Sequence, residues 1–178
     1  LWDRKNRELT LARDRIGEKP LYYGWQNSTF LFGSELKALK IHPSFEGKLD
    51  KSSIEEYLRF NYVPGPRSIF EGVKKLPPGT FLTVSLHKRE PNLPIPYWNL
   101  LDVVEKGRES TFKGNDSQAV DRLEDLLTSA VSQQLISDVP LGAFLSGGID
   151  SSLIVAVMQK VSANPINTFT VAFKEKGF

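Results

Sequence analysis

An α/β fold in two parts is predicted for this chain, on three observations. Residues 8–33 hold short aromatic and β-branched runs separated by turn residues. Residues 118–131 carry apolar side chains at helical spacing. Residues 141–173 read strand, glycine loop, helix, strand. The first pattern predicts small antiparallel strands and the last a βαβ unit with a parallel sheet.

The elements follow in order. Glu8–Asp14 alternates Leu9 and Leu11 with Thr10 and Ala12, as in a half-buried strand. Leu21–Trp25 and Thr29–Phe32 predict a strand pair about an Asn27-Ser28 turn. Ser34-Glu35 opens a short helix over Leu36–Ile41, stopped by Pro43. Ser52 with Glu55 and Ser53 with Glu56 have the spacing of capping boxes, and Ile54, Tyr57 and Leu58 then share a helix face up to Pro64-Gly65-Pro66. Pro77-Pro78-Gly79 is a tight turn into a strand over Thr80–Leu86. Residues 87–117 change character, with Pro91, Pro94 and Pro96 near charges and Gly107, Gly114 and Asn115 in a polar stretch. This is the expected inter-domain connection, with Tyr97-Trp98 as a packing anchor.

Val120, Leu123, Leu127, Ala130 and Val131 fall on one face of the next helix, opposite Asp121, Arg122, Glu124 and Asp125. Pro140 ends it. Leu141–Leu145 is a short apolar run of the buried-strand type, Ser146–Ser151 a loop, and Ser152–Val161 a helix with few charges, expected to be buried on several sides. Thr168–Phe173 is the second strand of the unit.

The loop carries the chemistry. Gly147 and Gly148 let the backbone turn sharply and approach a ligand with no Cβ between. Their N–H groups and the start of the following helix then face one point, where a phosphate is favoured. Ser146, Ser151 and Ser152 add hydroxyl donors. Asp150 would repel a bare phosphate, and two roles stay open for it: helix cap, or contact with a Mg²⁺ held by the phosphates. The loop is not a Walker A motif, because Gly-x-x-x-x-Gly-Lys-Ser/Thr is absent and no lysine stands in it. A phosphate loop without that lysine suggests cleavage between the α- and β-phosphates of ATP.

Composition removes other classes. Lys plus Arg is 23 against 21 Asp plus Glu, a net charge of +2 that argues for neither nucleic acid nor an anionic membrane. The basic residues are scattered, with no run longer than Lys74-Lys75 or Lys88-Arg89. There is no cysteine, so disulfides, Cys-ligated metals and a Cys nucleophile are excluded for these residues. His42 and His87 lie too far apart in sequence to suggest a His metal site. No apolar run reaches the ~18 residues of a membrane span. The chain opens at Leu1-Trp2-Asp3 and ends just after Thr170-Val171-Ala172-Phe173-Lys174, so an internal piece of a longer chain is expected.

Ser146-Gly147-Gly148-Ile149-Asp150-Ser151-Ser152 resembles the PP-loop of the N-type ATP pyrophosphatases, which include asparagine, GMP, NAD and argininosuccinate synthetases. Arg13–Gly24 followed by Gly33–Leu39 is similar to the later part of a class II, N-terminal-nucleophile glutaminase domain. Tyr57-Leu58 with Tyr62-Val63-Pro64, Ile69-Phe70, Lys75–Gly79 and Ser137–Pro140 resembles the asparagine synthetase branch in particular. The resemblance covers nearly the whole chain. It implies part of an αββα glutaminase sandwich over residues 1–98, a linker over 99–115, and the opening of a parallel-sheet ATP pyrophosphatase domain over 116–178.

The implied reaction is ATP-dependent amidation of aspartate with ammonia from glutamine, through a β-aspartyl adenylate, releasing AMP and pyrophosphate. ATP and Mg²⁺ are the implied cofactors, and aspartate, glutamine and ATP the implied partners. The resemblance also implies a cytoplasmic enzyme and is compatible with a homodimer. Ser146, Gly147, Gly148, Asp150, Ser151 and Ser152 would sit at the pyrophosphate and its Mg²⁺. Leu145 and Val171 would line the nucleotide, although both read equally as strand core. Arg13, Asp14, Gly17, Ser34 and Glu35 read as turn and scaffold residues. The family's nucleophilic Cys, its Asn-Gly-Glu glutamine-binding segment and its Ser-Gly-Glu-Gly-Ser-Asp-Glu motif are absent from these residues, so no catalytic residue is assigned and the chain alone is expected to be inactive. Two alternatives remain: a relative adenylating another carboxylate (a β-lactam-forming synthetase or a surface-polysaccharide amidotransferase), and a non-catalytic module that keeps the fold.

Overall fold

A computed structural model of the chain describes residues 1–85 and 93–172. These form mixed α/β structure in two compact units, Leu1–Glu109 and Ser110–Phe178.

The first unit contains two antiparallel sheets. One has the order β1 (Trp2–Asp3), β2 (Glu8–Ala12), β6 (Thr80–Ser85), β7 (Ile95–Pro96). The other has the order β4 (Thr29–Gly33), β3 (Tyr22–Gln26), β5 (Val73–Lys75). Side-chain alternation assembles them. In β6 Thr80, Leu82 and Val84 are buried, and Leu82 meets Leu11 of β2 and Tyr23 of β3 in one core with Leu76. Tyr22, Leu31 and Val73 point the other way and form a second core with Leu39 of α1 (Leu36–Lys40). The layers are thus sheet, sheet, helix, the period-2 pleat sending neighbouring residues of β3 to opposite cores.

The turn before β6 depends on Gly79. Its φ is +63°, and a Cβ there would stand 2.4 Å from the Trp98 carbonyl oxygen. The Gly79 carbonyl accepts the N–H groups of Tyr97 (2.8 Å) and Trp98 (3.1 Å), and the Tyr97 hydroxyl donates to the Arg13 carbonyl at 2.6 Å. Tyr97-Trp98, expected as a packing anchor, is tied to this turn by hydrogen bonds, with Tyr97 49% exposed.

Helix α2 (Lys51–Phe60) corrects two expectations. Its N-cap is Asp50, whose carboxylate accepts the Ser52 N–H at 3.0 Å and the Ser53 hydroxyl at 2.8 Å. The Ser52/Glu55 and Ser53/Glu56 boxes do not form, because the helix starts early enough to place both serines inside it. It ends at Asn61, left-handed at φ +59°, before Pro64 is reached. The expected face is poorly covered, with Leu58 75% exposed. Residues 99–115, read as connection, contain helix α3 (Leu100–Glu109), which buries none of its residues.

The second unit comprises α4 (Asp116–Gln134), β8 (Gly142–Phe144), α5 (Ile149–Val161) and β9 (Asn167–Phe169). β8 and β9 pair in parallel with Ala143 opposite Thr168, which is the βαβ arrangement expected. The core is small: Val131, Val157 and Met158, with Leu135, Ala143 and Ile166 packed against it. Two burial expectations fail. β8 was read as a buried strand, yet Phe144 is 80% exposed. α5 was expected to be buried on several sides, yet only Val157 and Met158 are buried. Parallel strands hide their side chains only when both faces are layered, and among the described residues this sheet has two strands and few neighbours. Leu86, His87, Lys88-Arg89, Pro91, Phe173 and Lys174, named in the sequence reading, lie outside the described residues.

Candidate functional site

Helix α5 begins at Ile149, three residues before the Ser152 expected, so Asp150 and Ser151 stand in its first turn and Gly148 is its N-cap. The Ser152 N–H closes the first turn onto the Gly148 carbonyl at 3.1 Å. Among the described residues, the N–H groups of Gly147, Ile149 and Asp150 meet no acceptor. These are the orphan donors that every helix start leaves, aligned with the positive end of the helix dipole.

Two serines close the loop on itself. Ser151 Oγ accepts the Ser146 N–H at 3.3 Å and donates to the Gly148 carbonyl at 3.1 Å. That leaves the Ser146 hydroxyl as donor in the 2.9 Å contact between the two hydroxyls, and Ser146 Oγ in turn accepts the Gly148 N–H at 3.4 Å. Gly147 makes the bend at φ +79°, and no atom lies within 4 Å of where its Cβ would be. The glycine is required by backbone conformation, and the space before it is open.

Leu145 is held at the end of β8. Its N–H donates to the Phe169 carbonyl at 2.9 Å, and its carbonyl accepts the Thr170 hydroxyl at 2.7 Å. Thr170 was missed by sequence reasoning, and a hydroxyl 25 residues away leaves no local signal. Val171 lies two residues beyond β9, not within a strand, and is 70% exposed. Leu145 through Ser152 thus form the turn from β8 into the first residues of α5, with the Thr170 hydroxyl bound to the Leu145 carbonyl at its base.

Asp150 is exposed and makes no cap, which removes one of its two roles. No group of three or more His, Cys, Asp or Glu side chains that could hold a metal occurs among the described residues. A divalent cation here would have Asp150 as its one protein carboxylate in the loop, with its remaining ligands from bound phosphates and water. No imidazole or amine stands in the loop; its unpaired donors are backbone N–H groups at a helix start, an arrangement that can bind and orient an anion. At the far end of α5, Lys160 pairs with Glu124 of α4, which raises the lysine's pKa and lowers the carboxyl's through their hydrogen bond.

In the first unit, Arg13 and Asp14 build a second ordered loop. The Arg13 guanidinium donates to the carbonyls of Lys19 (2.9 Å), Leu76 (2.7 Å) and Gly17 (2.7 Å). The Asp14 carboxylate accepts the N–H groups of Gly17 (2.5 Å), Glu18 (2.9 Å) and Lys19 (3.0 Å). The Lys19 N–H foremost, then its neighbours, holds the Asp14 carboxyl below its ordinary range. These residues act as scaffold in the geometry seen. Glu35 caps α1 without a side-chain bond and pairs with Lys37 at 2.6 Å on the surface.

Residues 1–98 match the glutamine amidotransferase domain and residues 122–178 match asparagine synthase. The chain is 36% identical to "Asparagine synthetase [glutamine-hydrolyzing] 3" of Bacillus subtilis, over 98% of this chain and 28% of that protein. It is 34% identical to "Putative asparagine synthetase [glutamine-hydrolyzing] 2" of Methanocaldococcus jannaschii, over 99% of this chain and 33% of that protein. It is 33% identical to "Asparagine synthetase [glutamine-hydrolyzing] 1" of Bacillus subtilis, over 100% of this chain and 26% of that protein. The chain therefore spans 26–33% of the length of these curated relatives. A glutamine amidotransferase domain followed by an asparagine synthase domain, in one chain and in that order, places this protein in the family of glutamine-hydrolysing asparagine synthetases.

Proposed function

We propose that this chain is part of a ligase that amidates aspartate to asparagine, using ATP and ammonia released from glutamine. The observation that carries the reading is the cluster of unpaired N–H groups at Gly147, Ile149 and Asp150, at the start of α5 and beside the Ser146–Ser151 hydroxyl pair. Such a cluster fits the pyrophosphate end of ATP. In this reading residues 1–98 belong to an αββα glutaminase sandwich and residues 116–178 open the PP-loop domain, with residues 99–115 between them. The enzyme is cytoplasmic and compatible with a homodimer.

The residues divide the work. Ser146, Gly147, Gly148, Ser151 and Ser152 hold the β- and γ-phosphates. Asp150 would help hold a Mg²⁺ with those phosphates, and the ion would screen their charge. Leu145, fixed by Thr170, and Val171 line the nucleotide. Gripping the outer two phosphates leaves the α-phosphorus open to attack. The aspartate side-chain carboxylate then forms a bond to the α-phosphorus, the α–β bridge breaks, and pyrophosphate leaves. Ammonia next displaces AMP at the acyl carbon. The ammonia-releasing nucleophile is not among these residues, since the chain has no cysteine.

Calorimetric titration with MgATP and with pyrophosphate, beside a Ser146→Ala, Asp150→Ala double variant, tests the assignment. Saturable binding by the natural chain that the variant loses is the expected result. Equal heats from both proteins would remove the loop from the nucleotide site. Glutamine-dependent formation of asparagine by the chain alone would overturn the expectation that it is inactive by itself.

A further inference from the structure

The first unit holds a cavity of about 450 Å³ between α2 and the β3–β5 edge, walled by Tyr22, Leu36, Tyr57, Tyr62 and Ile69, with Lys75 beside them. That volume is within the range of small-molecule sites, which combine apolar walls with a few polar groups. Three of the lining residues are tyrosines, of which Tyr57 and Tyr62 are exposed, and a tyrosine favours a flat apolar body by stacking or edge contact.

Lys75 is the unusual member. Its side chain is half-buried, and it belongs to none of the ion pairs formed among the described residues. An ammonium has three N–H donors, and one of them reaches the Val63 carbonyl. Arg13 adds a second cation to its surroundings, and the hydrogen bonds of that guanidinium go to backbone carbonyls, not to a carboxylate. Burial, and then the charge of Arg13, hold the Lys75 pKa below its usual value. A half-buried cation with spare donors and no acidic partner is stabilised by an anion that reaches it and accepts those donors.

We propose that this cavity binds a small, flat carboxylate of the phenylacetate kind, with its ring among the three tyrosines and its carboxylate on the Lys75 ammonium. The proposal is independent of the loop at residues 145–152.

The test is a calorimetric titration of the chain with phenylacetate and with its neutral isostere phenylacetamide, repeated on Lys75→Gln, Lys75→Arg and Ile69→Trp variants. Phenylacetate is expected to bind saturably, and the amide about tenfold or more weaker, as for the loss of a charge-assisted hydrogen bond. Lys75→Gln is expected to lose binding, Lys75→Arg to retain part of it, and Ile69→Trp to abolish it by filling the cavity. Absence of saturable phenylacetate binding would overturn the proposal. So would an amide that binds equally well, or undiminished binding by Lys75→Gln. Lys75→Gln also gives up the contact with Val63, so circular dichroism must show it folded. If it is not folded, the amide comparison and the Ile69→Trp variant decide.

Discussion

Gly147 takes a backbone conformation that L side chains rarely adopt, with open space where a side chain would stand. Gly147→Ala therefore adds strain without a clash, about 1–2 kcal/mol by the usual left-handed penalty. The expected outcome is a loss of that size in the urea stability of residues 110–178, with any pyrophosphate binding weakened as well. A loop that tolerated alanine unchanged in both measurements would not need the bend. Asp14 makes a different prediction. Its folded carboxyl titrates below the ordinary carboxylate value because backbone N–H groups bind the charged form, as at Asp3, while at Asp50 the Ser53 hydroxyl does so foremost. A depressed carboxyl lends stability that is present above its unfolded pKa and lost as the pH falls through the lower, folded value. The first unit should thus lose stability on acidification from about pH 4 downward. Asp14→Asn should flatten that decline, as read from urea midpoints against pH.

Among the elements, α4 offers the cleanest measurement. Its N-cap Asn115 accepts the Gln118 N–H at 2.9 Å, and the Gln118 side chain accepts the Asn115 N–H at 3.0 Å. Asn115→Ala removes half of that reciprocal pair and should destabilise the second unit by about 1 kcal/mol, with helix content falling at its start. Local signals of this kind were legible in uneven measure. The β3–β4 hairpin could be read because Asn27-Ser28 sits between two aromatic runs and Asn27 accepts a φ of +55°. The start of α2 was misread because Asp50 competes with Ser52 and Ser53 for the cap, and chain spacing does not rank the three. Helix α3 was missed because Pro91, Pro94 and Pro96 before it and Gly107, Gly114 and Asn115 in and after it mark a connection, a signal that outweighed the apolar Leu100, Leu101, Val103 and Val104.

At the scale of the molecule the two units differ in how much they bury. The first joins five buried side chains from both sheets in one core and adds a second core beneath α1. The second has three buried residues among those described. Leu82→Ala and Met158→Ala each remove a buried side chain, at about 2–5 kcal/mol. The first unit should survive its loss with a lowered urea midpoint. The second should unfold outright, seen as loss of the helical signal from residues 116–161 while the sheets of the first unit persist. Equal tolerance of both variants would mean that the second unit is held by something besides that small core.

The type of most of the longer elements, though not of β1, β5, β7 or α3, and the candidate loop as a contiguous segment, follow from local chemistry. Turn residues, caps and periodicity act over a few positions, and the loop's glycines and serines are neighbours in sequence. What packing alone settles is burial and pairing. Phe144 and α5 carry the composition of buried elements yet are largely exposed, because burial depends on what other segments supply as cover. The same holds for the tether from Thr170 to Leu145 and for the meeting of Arg13 with Leu76, 63 residues apart. Such contacts come from folding distant segments together, and no window of neighbouring residues encodes them.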